Sequence, residues 1–344
     1  MLSKLRCGIS LALVIALPRL VVAISGVLFE YSTEPGYFAQ EDPSINANPP
    51  DYTKIEYGLL NRSYPSDSTF DPAGEKPKWE RFTNYVAALN QRADGNVVYK
   101  LLYLARHGEA YHNVAQSYYG SQCWDCYWSQ QDGNGSATWR DAEMTPNGVR
   151  QMLISNAFWR DAAPELKIPF PESFYVSPMA RTLSTANLTF ASLPLWSESR
   201  PFAPTVKELL REAINACTCA WRHPRSWISE RFPTYVFEAG FTEDDEVFTG
   251  KSIESPSAQA ARIRRFLDGL FSTDNNTFIS VTTHGVNINP LLGIIGHPNP
   301  KFSVATGQAI PVLVRAKQML DSGATPLVDP PTPAQSCDPC GPGI

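Results

Sequence analysis

The stretch 97–109, VVYKLLYLARHGE, is a run of β-branched, aliphatic and aromatic residues that ends abruptly in Arg106, His107, Gly108 and Glu109. With Lys100 as its one charge, Val97 to Ala105 predicts a strand apolar on both faces, as a covered sheet keeps at its centre. The turn Asp94-Gly95-Asn96 precedes it. Two more segments repeat the design: Phe174–Ser177 leads to Pro178 and Arg181, and Phe278–Thr283 runs into His284 and Gly285. A fourth strand is expected at Ala309–Val314. Helical patterns fill the intervals. Thr145 and Pro146 stand in cap and first-turn order ahead of Gln151–Ala162. Met179–Phe190 reads as a helix, as does Pro204–Ala213, and Ile288–Ile295 as the start of another. Ser257–Phe271 places Ala260, Ile263, Phe266, Leu267 and Leu270 near a 3.6-residue period. The alternation predicts an α/β fold, a three-layer sandwich with a mostly parallel central sheet and helices on both faces.

In an open parallel sheet, ligands bind beyond the carboxyl ends of the strands. His107, His284, Arg106 and Arg181 all follow such ends, so the prediction is one site fed by three strands. Arginine offers a rigid fork of donors matched to phosphate oxygens and stays charged at any working pH. A histidine can attack with one ring nitrogen while a backbone carbonyl holds the other. The glycine after each histidine lets the backbone approach a small ligand. No metal or other cofactor is called for, because arginines and histidines carry the charge. Neither a Gly-x-Gly-x-x-Gly turn after the first strand nor a Gly-x-x-x-x-Gly-Lys-Ser/Thr loop occurs, which disfavours nucleotide-loop enzymes.

Arg106-His107-Gly108-Glu109-Ala110-Tyr111-His112-Asn113, Ser177-Pro178-Met179-Ala180-Arg181-Thr182 and His284-Gly285 together resemble the histidine phosphatase superfamily, phosphoglycerate-mutase-like branch. Asp141-Ala142-Glu143-Met144-Thr145-Pro146-Asn147-Gly148 adds to the likeness, which extends over roughly residues 55–316 and is greatest to fungal phosphoglycerate mutase-like proteins. The resemblance implies two-step phosphoryl transfer, with His107 as nucleophile and Arg106, Arg181, His284 and Asn113 around the phosphate. It also implies an acid between Arg181 and His284. The Arg211-Glu212 pair favours Glu212, and Glu208 is the alternative. Four residues apart on the expected helix they would share a face. Asn215 stands where the family often has a glycine, so the alignment can shift by a turn. Glu109 and His112 are candidates for shaping the pocket. Ala110 and His112 replace the serine and tryptophan common in glycolytic mutases, and the Arg-His-Gly-x-Arg-x-Pro signature of the phytase branch is absent. The expected substrate is a phosphorylated small molecule. Hydrolysis is favoured over a mutase reaction, with a non-catalytic phosphate-binding protein as the remaining reading.

The 344 residues carry 29 Lys and Arg against 34 Asp and Glu, a net charge of −5 that does not suit nucleic acid. Residues 1–25 hold Lys4, Arg6 and the apolar run Ile9–Leu17, and Ala23-Ile24-Ser25 offers a cleavage site. The expectation is a signal peptide, a secreted product with a net charge of −8, and no membrane contact after cleavage. Six cysteines remain as close pairs, Cys123/Cys126, Cys217/Cys219 and Cys337/Cys340. Disulfides are favoured over structural zinc, with connectivity open. Sequons begin at Asn61, Asn134, Asn187 and Asn275. The expected organisation is a leader 1–25, an irregular arm with a short helix 26–96, a catalytic domain 97–318, and a Pro- and Cys-containing tail 319–344. Within the domain, 118–139 reads as an insertion whose tryptophans line an entrance or form a satellite cluster. Oligomeric state is not legible.

Overall fold

The computed structural model describes residues 28–45, 51–319, 327–338 and 340. The expected leader lies outside them. Seven strands form the main sheet: β1 (Leu28–Thr33), β2 (Val97–Arg106), β3 (Ser173–Val176), β4 (Thr205–Val206), β5 (Val236–Phe237), β7 (Phe278–Thr283) and β8 (Ala309–Met319). A second, two-stranded sheet pairs β6 (Ser252–Ile253) with β9 (Thr332–Pro333). The order across the main sheet is β1-β8-β2-β7-β3-β4-β5. From β2 to β5 every pairing is parallel, and β8 and β1 add an antiparallel edge.

The helices are α1 (Asp67–Phe70), α2 (Lys78–Arg92), α3 (Tyr111–Cys126), α4 (Pro146–Ala157), α5 (Ala163–Glu165), α6 (Ala180–Phe190), α7 (Arg225–Arg231), α8 (Pro256–Thr273) and α9 (Gly285–Ile294). The period-2 geometry of β3 shows why there are two helical layers. Phe174 meets Phe190 of α6 at 5.0 Å between ring centroids, while Tyr175 meets Phe266 of α8 at 5.8 Å on the opposite face. On β2 the same alternation gives Tyr103 to Trp159 on one side and Lys100 to Phe271 on the other. Lys100 is buried, and its ammonium donates to the carbonyls of Asp274 and Asn276 just past α8. The expected sandwich is the observed one.

Several local expectations change. Residues 28–33, expected in an irregular arm, are an edge strand whose alternating pattern seats Phe29 and Tyr31 against Phe271. Pro204–Ala213 is not helical. Thr205–Val206 extend the sheet, one 3-10 turn covers Glu208–Leu210, and Arg211 leaves it in an extended conformation with φ −56° and ψ 161°. Glu208 and Glu212 therefore share no helix face. The insertion begins as the second half of α3. Trp124 and Trp139 are buried there with Tyr119, Cys217 and Cys219 in a cluster separate from the main core.

All six cysteines of the described residues are paired: Cys123–Cys340, Cys126–Cys337 and Cys217–Cys219. The first two bridges fasten the tail to α3. The tail is also held by the β6–β9 pairing and by Trp128 Nε1, which donates to the carbonyl of Cys340 at 2.6 Å. No helix among the described residues is long and apolar enough to cross a membrane.

Candidate active site

Strand register assembles the site. Arg106 at the end of β2 pairs with Thr283 at the end of β7, so His107 and His284, the next residues of each strand, lie side by side. Their ring centroids are 5.2 Å apart. Val176 of β3 pairs with Thr282 of β7, which brings Ser177 alongside, and its hydroxyl lies 2.8 Å from His284 Nε2. Arg181 sits in the first turn of α6, fully buried.

The expectation that glycine clears the way for a ligand is only partly met. A Cβ on Gly108 would stand 2.7 Å from Met144 Sδ and 2.8 Å from the Gly148 carbonyl, and one on Gly148 would stand 2.0 Å from the carbonyl of Glu109. These two glycines instead let the start of α4 press against the histidine loop. Gly285 does face the cavity.

His107 is buried, and its Nδ1 lies 2.8 Å from the carbonyl of Gly108. A carbonyl only accepts, so Nδ1 carries the hydrogen and Nε2 keeps its lone pair. Burial, then the positive Arg181 and the neighbouring His284 and His112, hold the His107 pKa well below the usual histidine value. Burial also brings His284 down to about 4, with Glu212 opposing and Arg181 reinforcing the shift. Both rings are neutral at neutral pH, as a nucleophile must be.

Glu212 binds into the same cluster. Its Oε2 lies 3.2 Å from Arg181 Nη2 and 3.1 Å from His284 Nδ1, and its Oε1 accepts from the amide of Ala213 at 3.0 Å. Burial pushes this carboxyl up, but His284, Arg181 and His107 more than offset that and hold it well below the usual carboxylate range. In the free site an ionised Glu212 thus occupies the anion position between the two groups expected to grip phosphate.

The remaining residues sort by what they touch. Arg106 donates through Nη1 to the carbonyl of Val304 at 3.0 Å, and its buried Nε has no partner. Asn113 accepts the Ala110 amide at 3.0 Å, closing the first turn of α3, and its Nδ2 donates to His112 Nε2 at 3.1 Å. That assigns the hydrogen of neutral His112 to Nδ1, which is buried without a partner. Glu109 is not on the cavity: it accepts from the Thr145 hydroxyl at 2.6 Å and secures the cap of α4. Glu208 lies off the cavity as well, bound to Arg211 and Arg222 at 2.8 Å each within a buried network that includes Asp245. Of the two candidate acids, the structure brings Glu212 to the histidines.

Two contributors went unassigned in the sequence. Ser177 holds His284 Nε2, leaving Nδ1 to face Glu212. Asp141 is buried, accepts the amide of Ala180 at 2.9 Å at the start of α6 and pairs with His223 at 2.7 Å, so it fixes the turn from which Arg181 projects. Asp141 opens the quoted Asp-x-x-Met-Thr motif, and that position was its signal.

Ring nitrogens of His107 and His284 and a Glu212 oxygen lie within 4.8 Å of one another, a donor set of the type zinc takes. The charge environment argues otherwise. Arg181 bonds the same carboxylate, and Arg106 flanks His107, so added positive charge would be repelled where an oxyanion is welcomed. Arg106, His107, His112, Asn113 and Glu212 line a cavity of about 680 Å³, with Arg181 and His284 buried behind Glu212. Four buried nitrogens of this cluster lack an aligned partner: Arg106 Nε, His112 Nδ1, Arg181 Nε and His284 Nδ1.

Residues 127–306 match the model of the histidine phosphatase superfamily, branch 1. The probable phosphoglycerate mutase of Arthroderma benhamiae is 42% identical over 333 residues, covering 96% of this chain and 97% of that protein. Phosphomutase-like protein 3 of Candida albicans is 34% identical over 294 residues, covering 85% and 82%. The probable phosphoglycerate mutase PMU1 of Saccharomyces cerevisiae is 30% identical over 301 residues, covering 81% and 94%. Sequence relationship over nearly the whole chain agrees with the cluster of His107, Glu212 and His284, and the chain belongs to the histidine phosphatase superfamily, branch 1.

Proposed function

We propose that the protein hydrolyses phosphomonoesters through a phosphohistidine on His107. The observation that carries this is the buried Arg106 Nε, Arg181 Nε and His112 Nδ1, which lack partners, beside a histidine whose Nδ1 donates to the Gly108 carbonyl and whose Nε2 keeps its lone pair. Buried donors without partners are costly, and a phosphoryl group supplies the oxygens they lack. Nε2 attacks phosphorus, and the ester P–O bond breaks. Arg106 and Arg181 neutralise the equatorial oxygens while His284 and Asn113 offer hydrogen bonds, and preorganised donors of this kind supply much of the rate enhancement. The departing alkoxide takes a proton from Glu212. In the second step Glu212 accepts a proton from water, the water oxygen attacks phosphorus, and the N–P bond breaks to release phosphate.

Glu212 begins ionised, so its proton must arrive with the substrate. A phosphate entering beside it adds like charge and draws off Arg181 and His284, and both changes raise the carboxyl pKa. Binding and protonation of the acid are thereby linked. The test is rapid quench with a phosphate-labelled ester. A base-stable, acid-labile phosphoenzyme is expected in the native protein and none in His107→Asn. A labelled intermediate that survives in His107→Asn would sink the assignment.

The same reading places the protein in the secretory pathway, supported by the charged, apolar leader and by the pairing of all six described cysteines. Mass spectrometry of the mature protein should find an amino terminus just after residue 25. A retained Met1 on the active enzyme would contradict it.

A further inference from the structure

The phosphate cluster lines part of a cavity of roughly 680 Å³, more than a bare phosphate fills. A pocket of that size encloses a small organic ligand rather than a bare anion. Three segments contribute to the rest of its wall. Helix α3 supplies Gln116, Trp124 and Asp125, the loop after Glu212 supplies Asn215, and the disulfide-tied tail supplies Ala334 and Gln335. These are three amides, an indole, a carboxylate and a methyl group. Among the described lining residues, the one arginine is Arg106, at the phosphate end, and there is no lysine.

A second anionic group on the substrate would meet this wall at a disadvantage. It would lose hydration without gaining a counter-charge, and it would face the exposed carboxylate of Asp125, whose like charge repels it. A neutral polyol meets hydrogen-bonding amides and a carboxylate acceptor instead.

We infer that this wall is a subsite for an uncharged, hydroxyl-bearing alcohol: the enzyme takes monophosphates of sugar-like or polyol bodies and discriminates against phosphorylated carboxylic acids. The inference rests on the hydrolase reading for its substrate and extends it to substrate class. It separates this chain from the reaction after which two of its relatives are named, because a phosphoglycerate carries the carboxylate that the wall does not accommodate.

Matched pairs test it on the full, oxidised chain. Values of kcat/KM are compared for glycerol 3-phosphate against 3-phosphoglycerate and for glucose 6-phosphate against 6-phosphogluconate, with 4-nitrophenyl phosphate as the reference ester. The expected result is a preference of at least about tenfold for the neutral member of each pair. Asp125→Asn should narrow the ratio, and Asp125→Lys should narrow it further or invert it. Because the ratio within a pair is read, a general loss of activity does not enter. Equal turnover within the pairs, a preference for the acids, hydrolysis of the aryl ester alone, or a ratio unmoved by Asp125→Lys would overturn the subsite. No hydrolysis of any ester would overturn the hydrolase reading instead. Calorimetric binding of the same four esters to His107→Ala then decides the subsite independently of turnover, on the same tenfold criterion.

Discussion

His107 and His284 face each other because neighbouring strands end in register, with Arg106 opposite Thr283. Across the same cavity, Asp125 and Gln335 line a wall held by bridges between cysteines 217 and 211 residues apart in sequence. The floor of the site is secured by the main core, where β2, β7 and β3 are buried between helices. The wall is secured by covalent bonds, a two-stranded ribbon and a satellite aromatic cluster. The comparison teaches that reaction and recognition are mechanically separate here. Chemistry is built onto strand ends of the main core, and the recognition wall combines α3 with a tail that two disulfides fasten to it.

The sharpest way to break the floor is at its two carboxylates. Glu212→Gln should lower kcat for alkyl esters by about 10²- to 10⁴-fold, the range of general-acid contributions. The aryl ester, whose leaving group needs little protonation, should suffer far less. Glu208→Gln should leave that leaving-group pattern unchanged. It loosens the pairing of Arg211 and Arg222, both nearly fully buried, and should cost about 3 kcal/mol of stability by denaturant unfolding. Leaving-group dependence appearing only in Glu208→Gln would reverse the two roles.

The pH dependence of the floor is next in size. In the folded state His284 has its pKa brought to about 4, and those of His107 and His112 are also depressed, so the unfolded chain binds more protons at mildly acid pH. Stability then rises with pH through that window and is lost as pH falls from about 6.5 toward 4. For His284 alone the loss is on the order of 3 kcal/mol across the full interval. Melting curves between pH 7.5 and 5 should show a falling Tm, and saturating phosphate should flatten the fall by favouring protonated rings. A Tm independent of pH would mean that folding leaves the pKa values of these rings unshifted.

The smallest effect is expected from cutting the wall loose. Cys123→Ser combined with Cys126→Ser frees the tail from α3. The KM of glucose 6-phosphate should then rise several-fold, while kcat for 4-nitrophenyl phosphate should stay within about twofold. A collapse of aryl-ester turnover in this variant would show that floor and wall are one mechanical unit.

The floor was legible in the sequence because each part of it is local. An apolar run followed by Arg106 and His107, another followed by His284, and the short spacing from Ser177 to Arg181 all survive as text. Sheet order and register do the rest. Residues 28–33 were obscured by the Pro-, Tyr- and Ser-rich segment that follows, although Phe29 and Tyr31 alternate as an edge strand should. The helical reading of 204–213 failed for a different reason. Leu209, Leu210 and the glutamates have good helix propensity, but Thr205 and Val206 gain more by pairing with β3 and β5, and Arg211 is drawn into ion pairs with Glu208 and Asp245. The motif at Asp141 marked its position, but its role depends on contacts with Ala180 and His223, tens of residues away, and so was not legible. The wall was the least legible part, since close cysteine pairs leave the pairing open.

The bridges that tie the tail to α3 also impose an order on synthesis. Cys123 and Cys126 leave the ribosome some two hundred residues before Cys340 and Cys337, and Cys217 and Cys219 emerge in between. The earlier thiols lie three residues apart, close enough to react with each other while they wait. Any such bond must be exchanged once the tail arrives. A chain cut short after β8 would hold every residue assigned to the chemistry, from Arg106 to His284, with its recognition wall still open. The tail's cysteines thus close the last part of the wall to be made, after every residue assigned to the chemistry and after Asp125 of α3.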